Sequence, residues 1–366
     1  MPKMNARFSS LGFACASLGP ASILALGALV GGGWPYAGLF CITLLVLLLD
    51  RTQIGGIASA DQAEWLPRAV GFAHFVLLGL GLWTVGATGH LDTGQKIALV
   101  AGLGLYFGQV SNACAHELIH RSDRNLRALG TAIYCSLLNG QHVSAHMLVH
   151  HVHAGTARDP NSAPLGRGFW RFFGRAVVDE FTAGLQAENQ RRKGRAQGPH
   201  PYLVYLGGAA ASLLVAFLLG GGLAMVVLLI LALHAQMQLM LSDYLQHYGL
   251  RRASDASGRA EPMRAHHSWN APRGFSAALM LNAPLHSDHH MNPSRPFPEL
   301  RFDADAMPTL PRSVPVMGAL ALVPPLWRRV MDPRVHMYQA MAQEAHGNVM
   351  PKTTLQAGSQ ASGLSE

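Results

Sequence analysis

Charge is scarce in this chain. Of its 366 residues only 13% are Asp, Glu, Lys or Arg, against about 25% in an ordinary soluble domain. So few charges cannot cover the surface of a water-soluble protein of this size. Cysteine is scarce too: Cys15, Cys41, Cys114 and Cys135 lie far apart, in or next to apolar segments. They exclude a disulfide framework and a CxxC metal knuckle, and read as small buried hydrophobes. Pro/Ser-rich linkers are missing, so nothing divides the chain into independent domains.

What the chain has instead is apolar length. Hydrophobic residues make up 49% of it, and the runs 11–31, 35–49, 69–89, 96–115, 203–222 and 223–242 each approach or reach the roughly 20 residues that cross a bilayer as a helix. The expected fold is an all-α integral membrane protein with six transmembrane helices, a single membrane-embedded domain over 1–345 and a polar, disordered tail over 346–366. The first run begins as a secretory signal peptide could, but no small-residue cleavage site follows, so it is expected to remain a span. The stretch 126–141 is too short to cross and must return to its own side or lie in the interface. The proline-interrupted stretch 314–327 reads as an interfacial or packing segment. The net charge of +8 does not argue for nucleic acid, because the basic residues sit in loops (Arg121, Arg124 and Arg127; Arg191, Arg192 and Lys193; Arg251, Arg252 and Arg264). By the positive-inside rule these loops are cytoplasmic.

Nine histidines fall into four tight groups on that same side: His116 and His120; His146, His150 and His151; His247; His286, His289 and His290. Neutral imidazole is the commonest side-chain metal ligand. His116 and His120, four apart in HELIHR, project from one face of a continuing helix. In HMLVHH and HSDHH the first histidine and its partner three or four residues on share a helical face, while the adjacent histidine looks to one side, so each group can reach two neighbouring metals. With typically about four to six ligands per ion, nine histidines suit two metals and leave open positions. His-Glu-Leu-Ile-His also satisfies HExxH, the zinc metalloprotease signature with Glu117 as general base. A membrane protease, however, would leave the other groups unexplained. A metal carrier would ordinarily hold its ionisable ligands within the spans rather than beyond their ends. Ligand type alone does not choose among Zn, Cu, Fe and Ni, and the chain has one ExxH, where soluble carboxylate-bridged di-iron bundles use a pair. A membrane cluster with open positions and no nearby nucleophile favours iron and O2 chemistry over hydrolysis.

HELIHR at 116–121, HMLVHHVHAGTARDP at 146–160, LQHYGL at 245–250, HSWN at 267–270 and HSDHHMNPSRPF at 286–297 together resemble the membrane-bound alkane 1-monooxygenases (alkane hydroxylases), relatives of the xylene monooxygenases and, more distantly, the fatty acid desaturases. The motifs keep their order and spacing from about 96 to 301. The resemblance implies a non-haem centre of two iron ions held by His116, His120, His146, His150, His151, His247, His286, His289 and His290. It further implies electrons from a separate rubredoxin with its NAD(P)H-dependent reductase, and insertion of one oxygen atom of O2 at the terminal carbon of an alkyl chain drawn from the lipid bilayer, giving a primary alcohol. It places the protein in a bacterial inner membrane. No CxxC pair is present for a fused rubredoxin, so the donor is expected to dock from outside.

Departures from the family pattern lie beside the ligands: Ala145 where the family usually has Glu, Val149 for Gly, Gln246 for Glu, and Ala283-Pro284-Leu285 for Leu-Gln-Arg. They leave a desaturase, a fatty-acid decarboxylase or an aromatic-methyl hydroxylase as alternatives, since each would need nearly the same cluster. Glu117, Asp159, Asp243 and Asp288 are the candidates to hold the outer nitrogens of the ligand rings. His153, His234, His266 and His267 fall outside the ligand set. Phe40, Leu44, Leu45, Phe75, Leu82, Trp83 and Phe107 are candidates to line an apolar channel, or simply to face lipid.

Overall fold

The computed structural model describes residues 10–50, 63–194, 198–271 and 274–347, with backbone alone over 341–347. Every regular element among them is helical: α1 (Ser10–Val30), α2 (Trp34–Ile42), α3 (Leu44–Leu49), α4 (Trp65–Ala87), α5 (Thr93–Ile119), α6 (Arg124–Ser136), α7 (142–153), α8 (Phe169–Arg192), α9 (Pro201–His247), α10 (Phe275–Leu279), α11 (His286–Met291), α12 (Val314–Ala321) and α13 (Pro324–Gly347). Four of these, α1, α4, α5 and α9, are long and apolar enough to cross a membrane, fewer than the six runs counted in the sequence. Run 35–49 breaks at Thr43 into α2 and α3, neither long enough alone. Runs 203–222 and 223–242 merge into α9, which bends sharply at Gly220 (φ −164°, ψ 25°) and Gly221 (φ 64°, ψ −153°). The expected tail begins inside a helix, because residues 346 and 347 close α13, while 348–366 lie outside the described residues.

The bend in α9 reverses the chain. Tyr205 on its first arm bonds Ser144 through its hydroxyl at 2.8 Å, and Gln236 on its second arm donates to the Leu137 carbonyl at 3.1 Å. On a straight helix these two residues would stand roughly 46 Å apart. Gly221 sits at positive φ, where only glycine rests without strain. Gly220 packs on Gly86 near the end of α4, so closely that a side-chain carbon on Gly86 would meet the Gly220 Cα at 2.7 Å. Gly86→Val is therefore expected to force α4 and α9 apart and to cost about 1–3 kcal/mol, read as a lowered Tm of the purified protein in detergent.

α5 starts at a capping box, with the Asp92 carboxylate accepting from the Gln95 N–H and the Gln95 side chain accepting from the Asp92 N–H. It then packs along the second arm of α9. Gly104 and Gly108 leave room for His234 and Gln238, which sit four residues apart on one face of α9. Gln238 donates to the Gly104 carbonyl at 3.1 Å and Asn112 to the Ala235 carbonyl at 2.9 Å, the small-residue, side-chain-to-backbone pairing that holds helices together where water is absent. His74 on α4 is likewise satisfied, by Ser111 at 2.9 Å and Ser136 at 2.8 Å. Helix α6 brings the chain back to its own side, since His120 before it and His146 after it touch. The stretch 314–327 forms α12 and the start of α13, with Gly318 of α12 facing Leu241 of α9, as a packing segment should.

Candidate metal centre

Two groups of histidine nitrogens converge where α5, α7, α9 and α11 meet. One comprises His116, His120, His146, His151 and His289; the other comprises His150, His247, His286 and His290, and within each group the ligand nitrogens lie within 4.8 Å of one another. The Nε2 atom of His151 stands 3.1 Å from that of His120, 3.0 Å from that of His146 and 3.2 Å from that of His289. In the second group, His286 Nε2 is 2.9 Å from the Nε2 atoms of both His247 and His290. His150 Nε2 is enclosed with no hydrogen-bond partner. Imidazole lone pairs gathered this closely repel unless a cation lies between them. Edges of this length arise when nitrogens at about 2.0–2.1 Å from a common ion subtend roughly a right angle. The donor set therefore fits two metal ions, one per group.

The division differs from simple helical spacing. On a regular α-helix His146 would pair with His150, but His146–His150 is a π-turn, closed by the His151 N–H donating to the His146 carbonyl. The wider turn swings His151 under His146 and sends His150 to the second group. In α11, an ordinary turn pairs His286 with His290 and sends His289 to the first group. In both motifs the outer two histidines share a group and the middle one crosses over.

Of the four carboxylates expected behind the ligands, one is found there. Asp159 accepts from the His150 ring at Nδ1, 3.0 Å away, and from the Ser162 hydroxyl at 2.6 Å. Burial pushes the Asp159 carboxyl up, but the adjacent His150 ring and the hydroxyl outweigh it and hold the carboxyl below its usual range. Asp243 accepts from the Asn161 amide at 2.7 Å rather than from a ligand ring. Asp288 is held by Arg295, Asn292 and the Arg301 N–H. Glu117 is paired with Arg121 and accepts from the Phe297 N–H at 3.1 Å, so it ties the end of α5 to the segment after α11. This pairing, and the placing of His116 and His120 in a five-histidine group, remove the protease reading of HExxH.

Sequence reasoning missed His142. Its ring lies against His146, with centroids 5.1 Å apart, and its Nδ1 is paired with the buried carboxylate of Glu180 on α8. Spacing was the available signal, because His142 precedes His146 by four residues; Glu180, on a distant helix, gave none. His267, left outside the ligand set, spends both ring nitrogens locally, on Glu261 at 3.3 Å and on the Arg264 N–H at 3.0 Å.

A cavity of about 340 Å³, lined mainly by apolar groups, opens onto His116 and His146 of the first group and His286 of the second. Its walls come from α5, the second arm of α9, α2, α3 and α12, with Leu47, Leu105, Met237, Leu241 and Leu322 among them. None of the seven channel candidates lines it: Phe40, Leu44, Phe75 and Trp83 are exposed on the outside of the bundle, Leu82 and Phe107 are buried in its core, and Leu45 is half-buried elsewhere. The helices are apolar all round, so sequence periodicity cannot say which face turns inward.

Comparison with known proteins agrees with this site. The family model described as fatty acid desaturase matches residues 96–321. Alkane 1-monooxygenase 1 of Pseudomonas aeruginosa is 31% identical over 323 residues, covering 84% of each chain. Alkane 1-monooxygenase 2 of the same organism is 28% identical over 331 residues, 86% of this chain and 88% of the relative. Alkane 1-monooxygenase of Pseudomonas putida is 30% identical over 270 residues, 72% of this chain and 65% of the relative. A helical membrane protein with two converging histidine groups, matched over most of its length by these enzymes, belongs to the fatty acid desaturase family and, within it, to the alkane 1-monooxygenases.

Proposed function

We propose that the protein hydroxylates the terminal carbon of an alkyl chain to a primary alcohol, using O2 and two electrons from a separate rubredoxin served by an NAD(P)H-dependent reductase. The observation that carries this reading is the cavity: a mainly apolar space that reaches both histidine groups at once. Two iron ions held by the nine histidines would supply the redox chemistry that activates O2 and breaks a C–H bond. The chain's own residues do the rest. Asp159 fixes the His150 ring with Nε2 turned inward, and the π-turn in α7 divides the ligands between the two groups. The leucine and methionine walls exclude water and accept a chain end. In this reading α2 with α3 and the two arms of α9 complete six crossings, and the histidines face the cytoplasm, where the arginine-rich loops Arg121–Arg127 and Arg251–Arg264 lie. An apolar substrate then arrives from the bilayer and electrons from water.

Membranes containing the protein, supplied with NADH, a rubredoxin and its reductase, are expected to convert decane to 1-decanol. Toluene and a fatty acid, offered in parallel, test the related chemistries. Formation of benzyl alcohol, a desaturated acid or a shortened alkene without any 1-alkanol would overturn the assignment, as would one zinc per chain in place of two irons.

A further inference from the structure

Two sequence motifs are only partly used by the histidine groups: LQHYGL supplies His247, and HSWN supplies no member of either group. Their aromatic residues belong to one cluster. Tyr248 follows His247 directly in the chain, and its ring centroid lies 5.2 Å from that of Tyr244 and 5.3 Å from that of Trp327 on α13. Tyr244 and Trp327 are themselves 5.3 Å apart, so the three rings are in mutual contact. Trp269 of HSWN donates from Nε1 to the Tyr248 carbonyl at 2.9 Å, and its ring packs on Tyr338 at 5.3 Å. Tyr244, Tyr248, Trp269 and Trp327 are fully buried, whereas Tyr338 is only half-buried, on α13. None of the five lines the cavity.

Packing alone does not account for these ring types. Phenylalanine would fill the same space, yet Trp327 carries an indole N–H that is enclosed with no hydrogen-bond partner among the described residues, a costly group to bury. The Tyr248 hydroxyl donates to the Asp332 carboxylate at 2.6 Å and accepts from the Gly166 N–H at 2.9 Å. A phenol bonded to a carboxylate can lose an electron and pass its proton along the same bond, which eases its oxidation. Rings in contact then exchange electrons readily, because tunnelling weakens steeply with distance.

We propose that Tyr244, Tyr248 and Trp327, with Trp269 and Tyr338, carry oxidising equivalents from the metal centre to the surface when no substrate occupies the cavity, and so spare the ligand histidines. The relay does not serve incoming electrons, because neutral tyrosine and tryptophan yield electrons to strong oxidants and do not accept them from mild reductants. Reducing O2 to water takes four electrons, of which the donor supplies two. Without a C–H bond to attack, the other two come from the protein. Tyr248 gives one electron to the centre and its phenolic proton to Asp332. It regains both when the hole moves through Trp269 to Tyr338, which releases its own proton to solvent. The Tyr338 radical then takes a hydrogen atom from a thiol in solution. Two such passages convert two thiols to one disulfide and, with protons drawn from solvent, complete the reduction of O2 to water. The inference rests on the hydroxylase reading for the origin of the oxidant, but the relay itself is tested without hydroxylation.

The experiment loads purified protein in nanodiscs with Fe(II) and adds hydrogen peroxide, which brings oxidising equivalents without donor or substrate. In the wild type, freeze-quenched samples are expected to show an organic-radical EPR signal that narrows when the tyrosine rings are deuterated. Peptide mapping of the same samples is expected to find oxidation at Tyr338. In Tyr248→Phe, at unchanged iron content, the signal is expected to be lost and the oxidation to shift to the histidine ligands. Asp332→Asn, which removes the proton acceptor, is expected to lose the signal as well, and it serves as the test if Tyr248→Phe does not fold. An unchanged signal in these variants, or a wild type that oxidises its histidines without forming a tyrosyl radical, would overturn the proposal. Decane, NADH and the electron donor are supplied to parallel samples. A wild type that forms the radical but no 1-decanol rejects the hydroxylase reading and leaves the relay standing, whereas 1-decanol without the radical rejects the relay alone.

Discussion

His286→Ala is expected to end hydroxylation, with a fall of more than about 100-fold in turnover, and to leave one metal per chain where the wild type is expected to hold two. His286 is the hinge of the smaller group, since its Nε2 is the near neighbour of both His247 and His290. Its removal leaves three nitrogens, two of which have lost their closest companion. His289→Ala makes the contrast, because four nitrogens remain in its group. That variant is expected to keep most of its second metal while still losing activity. Metal analysis of purified protein alongside 1-decanol yield separates the two variants. Full metal content and normal turnover in His286→Ala would refute the two-site reading.

Asp159→Asn carries the second largest expectation: a loss of about 10–100-fold in metal affinity or activity. The Asp159 carboxylate is fully enclosed and bonds the His150 ring, the Ser162 hydroxyl and the Asn161 N–H. Asparagine matches it in shape, so the fold should survive. It lacks the charge, however, and can present an N–H to His150 Nδ1, which favours the tautomer that holds the proton on Nε2 and blocks the lone pair meant for a metal. Titration of the apo-protein with Fe(II), followed by turnover, measures the effect; wild-type affinity would show that Asp159 has no part in orienting the ring.

These expectations come from geometry that the sequence carried only in part. Nine histidines in four motifs were visible as a metal centre because clustering is a local property, and the long helices because hydrophobicity is additive along the chain. The partition of ligands was not visible. A π-turn has no composition of its own, and HMLVHH looks like a four-residue clamp until the backbone widens by one residue. The partners of Asp288 and Glu117 were hidden for another reason: Arg295, Arg301 and Phe297 reach them only after the loop following α11 has folded back. The six apolar runs and the four long helices differ at two places: run 35–49 breaks at Thr43 into two short helices, and runs 203–222 and 223–242 share one helix bent at Gly220 and Gly221. The cavity wall stayed unreadable because apolar helices carry no phase, and the residues nominated for it turn outward or into the core.

The crossing of one histidine from each motif has a consequence for assembly. His150 leaves its neighbours to complete the group built on α9 and α11, and His289 leaves α11 to complete the group built on α5 and α7. Neither group has its full set of ligands until the other segment is in position. An ion bound in one group would therefore help to hold a ligand of the other in place, so the two groups are coupled through α7 and α11 rather than built independently.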